Sequence, residues 1–371
     1  FDSGDYPECV LRAAKAIDVA AIRARQDLGE IDGRKIGLGF SVFCEQAAHG
    51  TSVYHGWGIP MVPGFEQSTT RLTPDGGLEL RVGVHSHGQS LETTLAQIAN
   101  HILGIDVAKV KVVHGDTAYT PYSTGTWGSR CAVMAGGAVA ESCDELSARV
   151  CKIGAHLLQS HPDKVTLLDG MVRDENSAIS IKDIAKTWYF APQELSPHLA
   201  ADALEVTKGH RPEPDTGTFS YAAHACLLAI DLELCSIEIL DYVIVEDGGE
   251  LINPMVVDGQ ILGGTAQGIG TALYEETPYD QNGQPMANTL AEYLLPSAGE
   301  VPLIRIDHMK TPSPFSKFGQ KGLGEGGAIG PPAAIANAVN DALKATGLEI
   351  NQLPISPFRL FELLKKKGNF V

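Results

Sequence analysis

Four glycine-rich turns constrain this chain more than any other feature: His87-Gly88-Gln89-Ser90, Gly125-Thr126-Trp127-Gly128-Ser129-Arg130, Asp258-Gly259-Gln260 and Lys321-Gly322-Leu323-Gly324-Glu325-Gly326-Gly327. Each is expected before or at a helix start. Backbone N–H groups left unpaired there, together with the helix dipole, favour an anion, and glycine lets a ligand approach the main chain. Several such turns in one chain point to a long, phosphate-bearing ligand. Taken singly, a glycine turn also simply ends a strand. Gln89, Gln260 and Ser129 add directional hydrogen-bonding groups, and Arg130 can either fork onto a phosphate or pair with a surface acid.

The segments between the turns read as strands and helices of ordinary length. Residues 11–27 place Leu11, Ala14, Ile17, Ala21 and Ile22 on one helical face, and Arg34 to Val42 reads as a strand. LELRVGV (78–84), the first glycine turn, LETTLAQIANHIL and VAKVKVVHG (107–115) form a strand–turn–helix–strand unit, with Leu91, Leu95, Ile98 and Ile102 on one face and Gly104 as its stop. A second helix is expected from Met134 to Leu158, then a hairpin about Asp169-Gly170. FSYAAHACLLAIDL (219–232) and CSIEILDYVIVED (235–247) pair as strands, leading to Asn253-Pro254 and a helix of small residues. A hairpin about Asn282-Gly283, a strand at 303–309, the last glycine turn and a final helix with Pro332 in its first turn complete the order. The architecture is α+β or mixed α/β, in two lobes: 1–160, a linker with a hairpin at 161–205, and 206–371.

Composition narrows the partners. Of 371 residues, 28 are Lys or Arg and 45 are Asp or Glu, and the formal net charge of −17 opposes broad contact with nucleic acid phosphates or an anionic membrane. No membrane span and no signal peptide is visible, so a cytoplasmic location and a protein or small-molecule partner are expected. The seven cysteines are scattered, without a C-x-x-C pair or zinc spacing, and read as buried reduced thiols. Iron–sulfur clusters, if used, are held elsewhere.

Glu325 is the one acid in the last glycine turn, flanked by Gly324 and Gly326 and therefore open to a ligand. It reads as a helix-capping or solvent-facing carboxylate, or as a catalytic base if partly desolvated. Gly322, Gly324 and Gly327 satisfy G-x-G-x-x-G, but the preceding TPSPFSKFGQ is no buried strand, so a nicotinamide site ranks last. His85 and His87 lie two apart at a strand end, which puts them on opposite faces with no third metal ligand; no metal-ligating side chain is assigned. His224 reads as a core histidine.

Taken in order, the turns resemble the molybdopterin-binding subunit of the xanthine dehydrogenase superfamily, and more closely the branch with aerobic carbon monoxide dehydrogenase and related bacterial hydroxylases. The likeness runs from GDYPECVLRAA to about Gly347. SHGQSLETTLAQIA is similar to the family's glycine–glutamine–glycine turn, which implies pterin contacts from Gly88, Gln89 and Ser90; Ser90 replaces a glycine, so the ligand is expected to fit only with an ordinary negative φ at that residue. GDTAYTPYSTGTWGSR is similar to the branch with a cytosine dinucleotide cofactor, implying contacts from Thr126, Gly128, Ser129 and Arg130. INPMVVDGQILGGTAQGIG implies a further contact from Gln260, with Gln267 as a second candidate. KGLGEGG matches the loop of the catalytic glutamate, here Glu325, with Lys321 beside the cofactor.

What the resemblance implies is a two-lobed α+β fold of aldehyde oxidase/xanthine dehydrogenase type, with mixed sheets and packed helices. It implies a molybdenum hydroxylase component carrying Mo-molybdopterin cytosine dinucleotide and acting on an aldehyde, N-heterocycle or similar small carbon centre with oxygen from water. Electrons pass to Fe–S and FAD groups on partner subunits in a hetero-oligomer, possible also as a dimer of the assembly. The family's upstream half is expected from another segment or chain, without which this one is inactive. The competing reading is a non-catalytic cofactor-binding or assembly fragment.

Overall fold

A computed structural model describes residues 1–30 and 32–367; the last four residues of the expected second lobe lie outside the described ones. The chain opens with α1 (Tyr6–Ile17), whose first turn holds Pro7 and is capped by the Asp5 side chain accepting from Glu8 N–H. The single helix expected over 11–27 breaks at Asp18. That residue adopts φ 61° and caps α2 (Val19–Leu28) by accepting from Ala21 N–H. Then follow β1 (Lys35–Ala47), α3 (Thr51–Gly56), β2 (Glu66–Leu72), β3 (Leu78–Val82), α4 (Leu91–Leu103) and β4 (Val110–Val113). Strands β3 and β4 run parallel on either side of α4, as the strand–turn–helix–strand pattern predicts.

A π-helical turn, Cys131–Ala135, leads into α5 (Gly136–Leu157). The Asp169-Gly170 turn joins β5 (Thr166–Leu168) to β6 (Met171–Arg173), and β7 (Ala178–Ser180) completes a small antiparallel sheet. Helices α6 (Ile181–Phe190) and α7 (Pro197–Ala201) precede β8 (Glu205–His210). After β9 (Thr218–Asp231) and β10 (Ser236–Asp247) come α8 (Pro254–Leu273), β11 (Ile304–Met309), α9 (Gly326–Ile329), α10 (Pro331–Leu343) and α11 (Pro357–Lys366). The last of these lies beyond the final helix expected, and it buries Leu360 and Leu364, one helical turn apart.

The larger sheets have the orders β4-β3-β2-β8 and β1-β9-β10-β11. The boundaries therefore differ from a division at 160 and 206. Strand β1 pairs antiparallel with β9 along its whole length, from Lys35 opposite Ile230 to Ala47 opposite Thr218, so residues 35–47 build the sheet of the C-terminal half. The reason is visible in the K-I-G-L-G-F run. A Cβ on Gly37 would lie 1.9 Å from Ala338 O, and one on Gly39 would lie 2.1 Å from Ala334 O, so α10 rests directly on the strand's backbone. Ile335, Val339 and Leu343, each one residue beyond the alanines at that contact, are all fully buried. Each such aliphatic side chain contributes about 1.5–3 kcal/mol relative to exposure.

Residues 161–205 are not a free linker either. Val165, Val172, Ile181 and Ile184 join Leu80, Leu95, Val139 and Leu146 in the first core. The second core gathers Leu228, Ile244, Ile261, Ile335 and Leu360. No helix among the described residues is long and apolar enough to cross a membrane.

Candidate functional site

Between the two cores lies a cavity of about 480 Å³, and the glycine turns form its walls. Gly88, Gln89, Thr126, Gly128, Ser129, Arg130, Gln260, Lys321 and Glu325 all line it. Residues far apart in sequence thus meet at one cleft. Ser90 and Gln267 do not line it; Gln267 is exposed on α8.

The first turn sits at the start of α4. Ser90 holds φ 58° there rather than the negative value expected, and its side chain does not cap the helix, so first-turn N–H groups stay available to an anion. Gln89 folds its amide over the turn, accepting from His87 N–H and donating to His85 O at 3.2 Å. His85 and His87 do not diverge as a strand end would make them. Strand β3 has already finished at Val82, and the two imidazoles meet Nε2 to Nε2 at 2.8 Å. Among the described residues, no group of three or more His, Cys, Asp or Glu side chains is placed to hold a metal ion.

The second turn is tied to the first by Thr126, whose hydroxyl donates to His85 O at 2.6 Å and accepts from His85 N–H at 2.9 Å. Gly125, Gly128 and Ser129 all take positive φ. Arg130 departs from expectation. Its guanidinium turns away from the cleft into the protein, donating to Glu66 Oε1 at 2.6 Å and to the carbonyls of Gly125 and Phe65 at 2.8 Å each. It is 1% exposed and is neither a surface ion pair nor a phosphate fork. Burial raises the Glu66 carboxyl, while Arg130 and Ser123 oppose the rise.

Asp258-Gly259-Gln260 lies inside α8 rather than at its start, because Asn253 caps the helix one turn earlier by accepting from Val256 N–H. Gln260 projects from there toward the last glycine turn, its amide 3.5 Å from Gly324 O. Lys321 also departs from expectation: its ammonium is buried on Asp247 Oδ1 at 3.0 Å, with Thr311 Oγ1 at 3.1 Å and Ser3 O at 3.3 Å. Its role is to anchor the loop. The next residue explains the tight joint between turns, since a Cβ on Gly322 would lie 2.2 Å from Ser129 O.

That joint positions Glu325. Ser129 Oγ donates to Glu325 Oε2 at 2.7 Å and accepts from Glu325 N–H at 3.1 Å, which holds the carboxylate at the cleft. Beside it stands Glu45, which the sequence reading missed because the strand was followed only to Val42. An acid within the apolar run of β1 was the available signal. Burial raises the Glu45 carboxyl to about 7, the negative charge of Glu325 adds to the rise, and Ser129 and Ser220 oppose it. Gln320 was missed as well; it lines the cleft and donates to Ala132 O at 2.9 Å. Tyr54 and Trp127, with ring centroids 5.0 Å apart, add an aromatic wall near Glu325.

The donor set suits a polar, anionic, extended group. Two helical starts, at Ser90 and Arg130, carry no side-chain cap, and an added Cβ at Gly88 would meet nothing within 4 Å. Ligand atoms can therefore approach the backbone of the first turn.

Comparison with known proteins agrees with this geometry. The molybdopterin cofactor-binding domain family matches residues 12–302. The nicotine 6-hydroxylase large subunit of Paenarthrobacter nicotinovorans is 33% identical over 368 residues, covering 98% of this chain and 45% of that protein. The carbon monoxide dehydrogenase large chain of Hydrogenophaga pseudoflava is 31% identical over 374 residues, covering 99% and 45%. Among solved structures, quinoline 2-oxidoreductase from Pseudomonas putida 86 superposes with a TM-score of 0.90 at 34% identity, covering 98% of this chain and 46% of that one. The chain thus spans about half the length of the curated relatives it matches. With a cleft built from those turns and a fold shared along nearly its whole length, the chain belongs to the molybdopterin cofactor-binding domain family.

Proposed function

We propose that this chain forms part of the large subunit of a molybdenum hydroxylase, in which Glu325 is the general base. One observation carries the reading: turns centred on Gly88, Gly128 and Gly324, with Gln260 of α8, line one cleft that also holds the Glu325 carboxylate. The bound cofactor supplies a redox-active metal that accepts an electron pair and makes water a stronger acid. Gln89, Thr126, Gly128 and Gln260 hold the pterin and its phosphates, with the uncapped start of α4 facing the anion. Glu325 takes up the proton released as water-derived oxygen is transferred to the substrate carbon, while Ser129 keeps the carboxylate aimed into the cleft.

The finer assignments follow the same reading. The cofactor is the cytosine dinucleotide form, held by the turn at 125–130. The substrate is an aldehyde, an N-heterocycle or a similar small carbon centre. Electrons leave through Fe–S and FAD subunits of a cytoplasmic hetero-oligomer that also contains the upstream half of the molybdenum subunit. The test is metal analysis with nucleotide release on the protein purified together with its partners. Molybdenum with CMP in equal amount is expected; absence of both from the intact assembly removes the proposal.

A further inference from the structure

Reading Glu325 as the base leaves a second carboxyl unexplained. Glu45 lies toward the end of β1 and is half-buried, whereas Glu325 is exposed to the cleft. Burial and the neighbouring negative charge of Glu325 both raise the Glu45 carboxyl. Ser129 touches both: its Oγ is 2.7 Å from Glu325 Oε2 and 3.4 Å from Glu45 Oε1.

A serine hydroxyl has one hydrogen and two lone pairs. The hydrogen goes to the nearer oxygen, that of Glu325, and one lone pair already accepts from Glu325 N–H. What Ser129 offers Glu45 is therefore a lone pair, which repels a carboxylate and accepts from a carboxylic acid. Glu45 Oε2 meets Ser220 Oγ of β9 at 3.4 Å, a donor suited to the unprotonated oxygen of a neutral acid.

Among the described residues, the groups with the largest influence on Glu45 include no cation to offset two negative charges. His49, after β1, is held toward the neutral form by burial against the pull of Glu325. Tyr54 of α3 is pushed up to about 12 by burial. Arg130, next to Ser129, commits its guanidinium to Glu66, Gly125 and Phe65. Phe43 and Gly326 close the remaining side. Two carboxyl groups that share one hydroxyl in such surroundings do not both ionise, and the more buried one keeps the proton.

We infer that Glu45 is a positioning residue that holds one proton in common with Glu325, through the Ser129 hydroxyl that touches both, so that Glu325 remains the ionised member of the pair. This rests on the reading of Glu325 as base. The pair carries one proton at rest and two once Glu325 has accepted another; nothing else is gained or lost. Glu45 thereby keeps the base available while limiting the cleft to one negative charge.

The test is pH-difference infrared spectroscopy of the assembled enzyme, reading the C=O stretch of protonated carboxyls in the wild type, E45Q, E325Q and S129A. A band titrating near neutral pH is expected in the wild type and is lost in E45Q. In E325Q its midpoint falls toward the ordinary glutamate range, because the neighbouring charge is gone; in S129A it also falls, because the acceptor for the protonated Glu45 carboxyl is removed. A wild-type band that survives E45Q, or a midpoint that stays put in both E325Q and S129A, overturns the shared proton. In the pH profile of kcat/KM, E45Q loses the inflection that Glu45 contributes near neutrality, and an unchanged profile counts against the inference. If E325Q retains turnover, the base reading fails on its own, while the infrared midpoints still report whether the proton is shared.

Discussion

Arg130 and Glu66 form an ion pair of 2.6 Å with both side chains sealed from solvent. The pair locks the turn at 125–130 onto the start of β2, so the cleft's second wall depends on a charge contact lying outside it. Removing one partner of such a pair strands the other, at a cost of about 3–5 kcal/mol. R130M is expected to lose that much in chemical denaturation, and the double variant R130M/E66L to recover most of it. A loss below about 1 kcal/mol in the single variant means the pair does not bear on stability.

On the proposed reading Glu325 is separable from cofactor retention, because its carboxylate bonds to Ser129 and to none of Gln89, Thr126, Gly128 and Gln260, the groups proposed to hold the pterin and its phosphates. E325Q in the assembled enzyme is therefore expected to keep its molybdenum content and lose at least about 100-fold in kcat, the lower range for a general base. Steady-state kinetics beside metal analysis decides it. Unchanged kcat removes Glu325 from the chemistry.

His308 of β11 bridges Glu246 Oε1 at 2.7 Å and Asp258 Oδ1 at 2.8 Å, joining β10, β11 and α8. Its pKa is raised to about 9, first by the Glu246 hydrogen bond, with burial opposing and Asp258 adding. Burial also raises Glu246, against the pull of His308; with Asp258 as a second acid, the protonated imidazole is the state the triad favours. A group whose folded pKa exceeds its unfolded value adds stability that is complete below the unfolded value and is lost as pH rises through the folded one. Stability is thus expected to decline between 6.5 and about 9, and H308Q to abolish that part of the slope. Denaturation midpoints measured across this window check it; an equal slope in H308Q refutes the clamp.

Ser90 occupies the left-handed region at φ 58°, where a side chain is strained and glycine is not. S90G is expected to raise stability by up to about 1 kcal/mol, since relief of strain exceeds the added entropy of the unfolded chain. Thermal unfolding of the pair of proteins reads it. Destabilisation on that substitution would show that the serine side chain holds the turn.

What was legible in the sequence is local. The β3–α4–β4 unit and the Asp169-Gly170 hairpin both follow from periodicity and turn chemistry within a few residues. Three of the four expected turns were legible in the same way, whereas Asp258-Gly259-Gln260 lies inside α8, where Gly259 marks no turn. The charges were not legible. Arg130 and Lys321 were both expected at the cofactor, yet each is committed to a buried acid, Glu66 or Asp247, that lies some 60 or more residues away. Glu45 was hidden by the same distance: only pairing of β1 with β9 brings it beside Ser220, and only the loop contact at Gly322 brings Ser129 and Glu325 to it. His85 and His87 were misplaced because β3 stops early and a turn, not an extended strand, carries them.

The pairing of β1 with β9 also sets an order of events during synthesis. Strand β1 leaves the ribosome long before its partner exists, while β2, β3, α4, β4 and α5 already have one another to pack on. The first core is therefore able to assemble while Ile36 and Leu38 still lack the surface that covers them, and α10, which lies across Gly37 and Gly39, arrives later still. Closing so distant a contact slows folding and leaves an apolar edge exposed meanwhile. Aggregation is consequently the greatest hazard before β9 and α10 have been translated, and a chaperone that shields nascent β1 gains its effect in that interval.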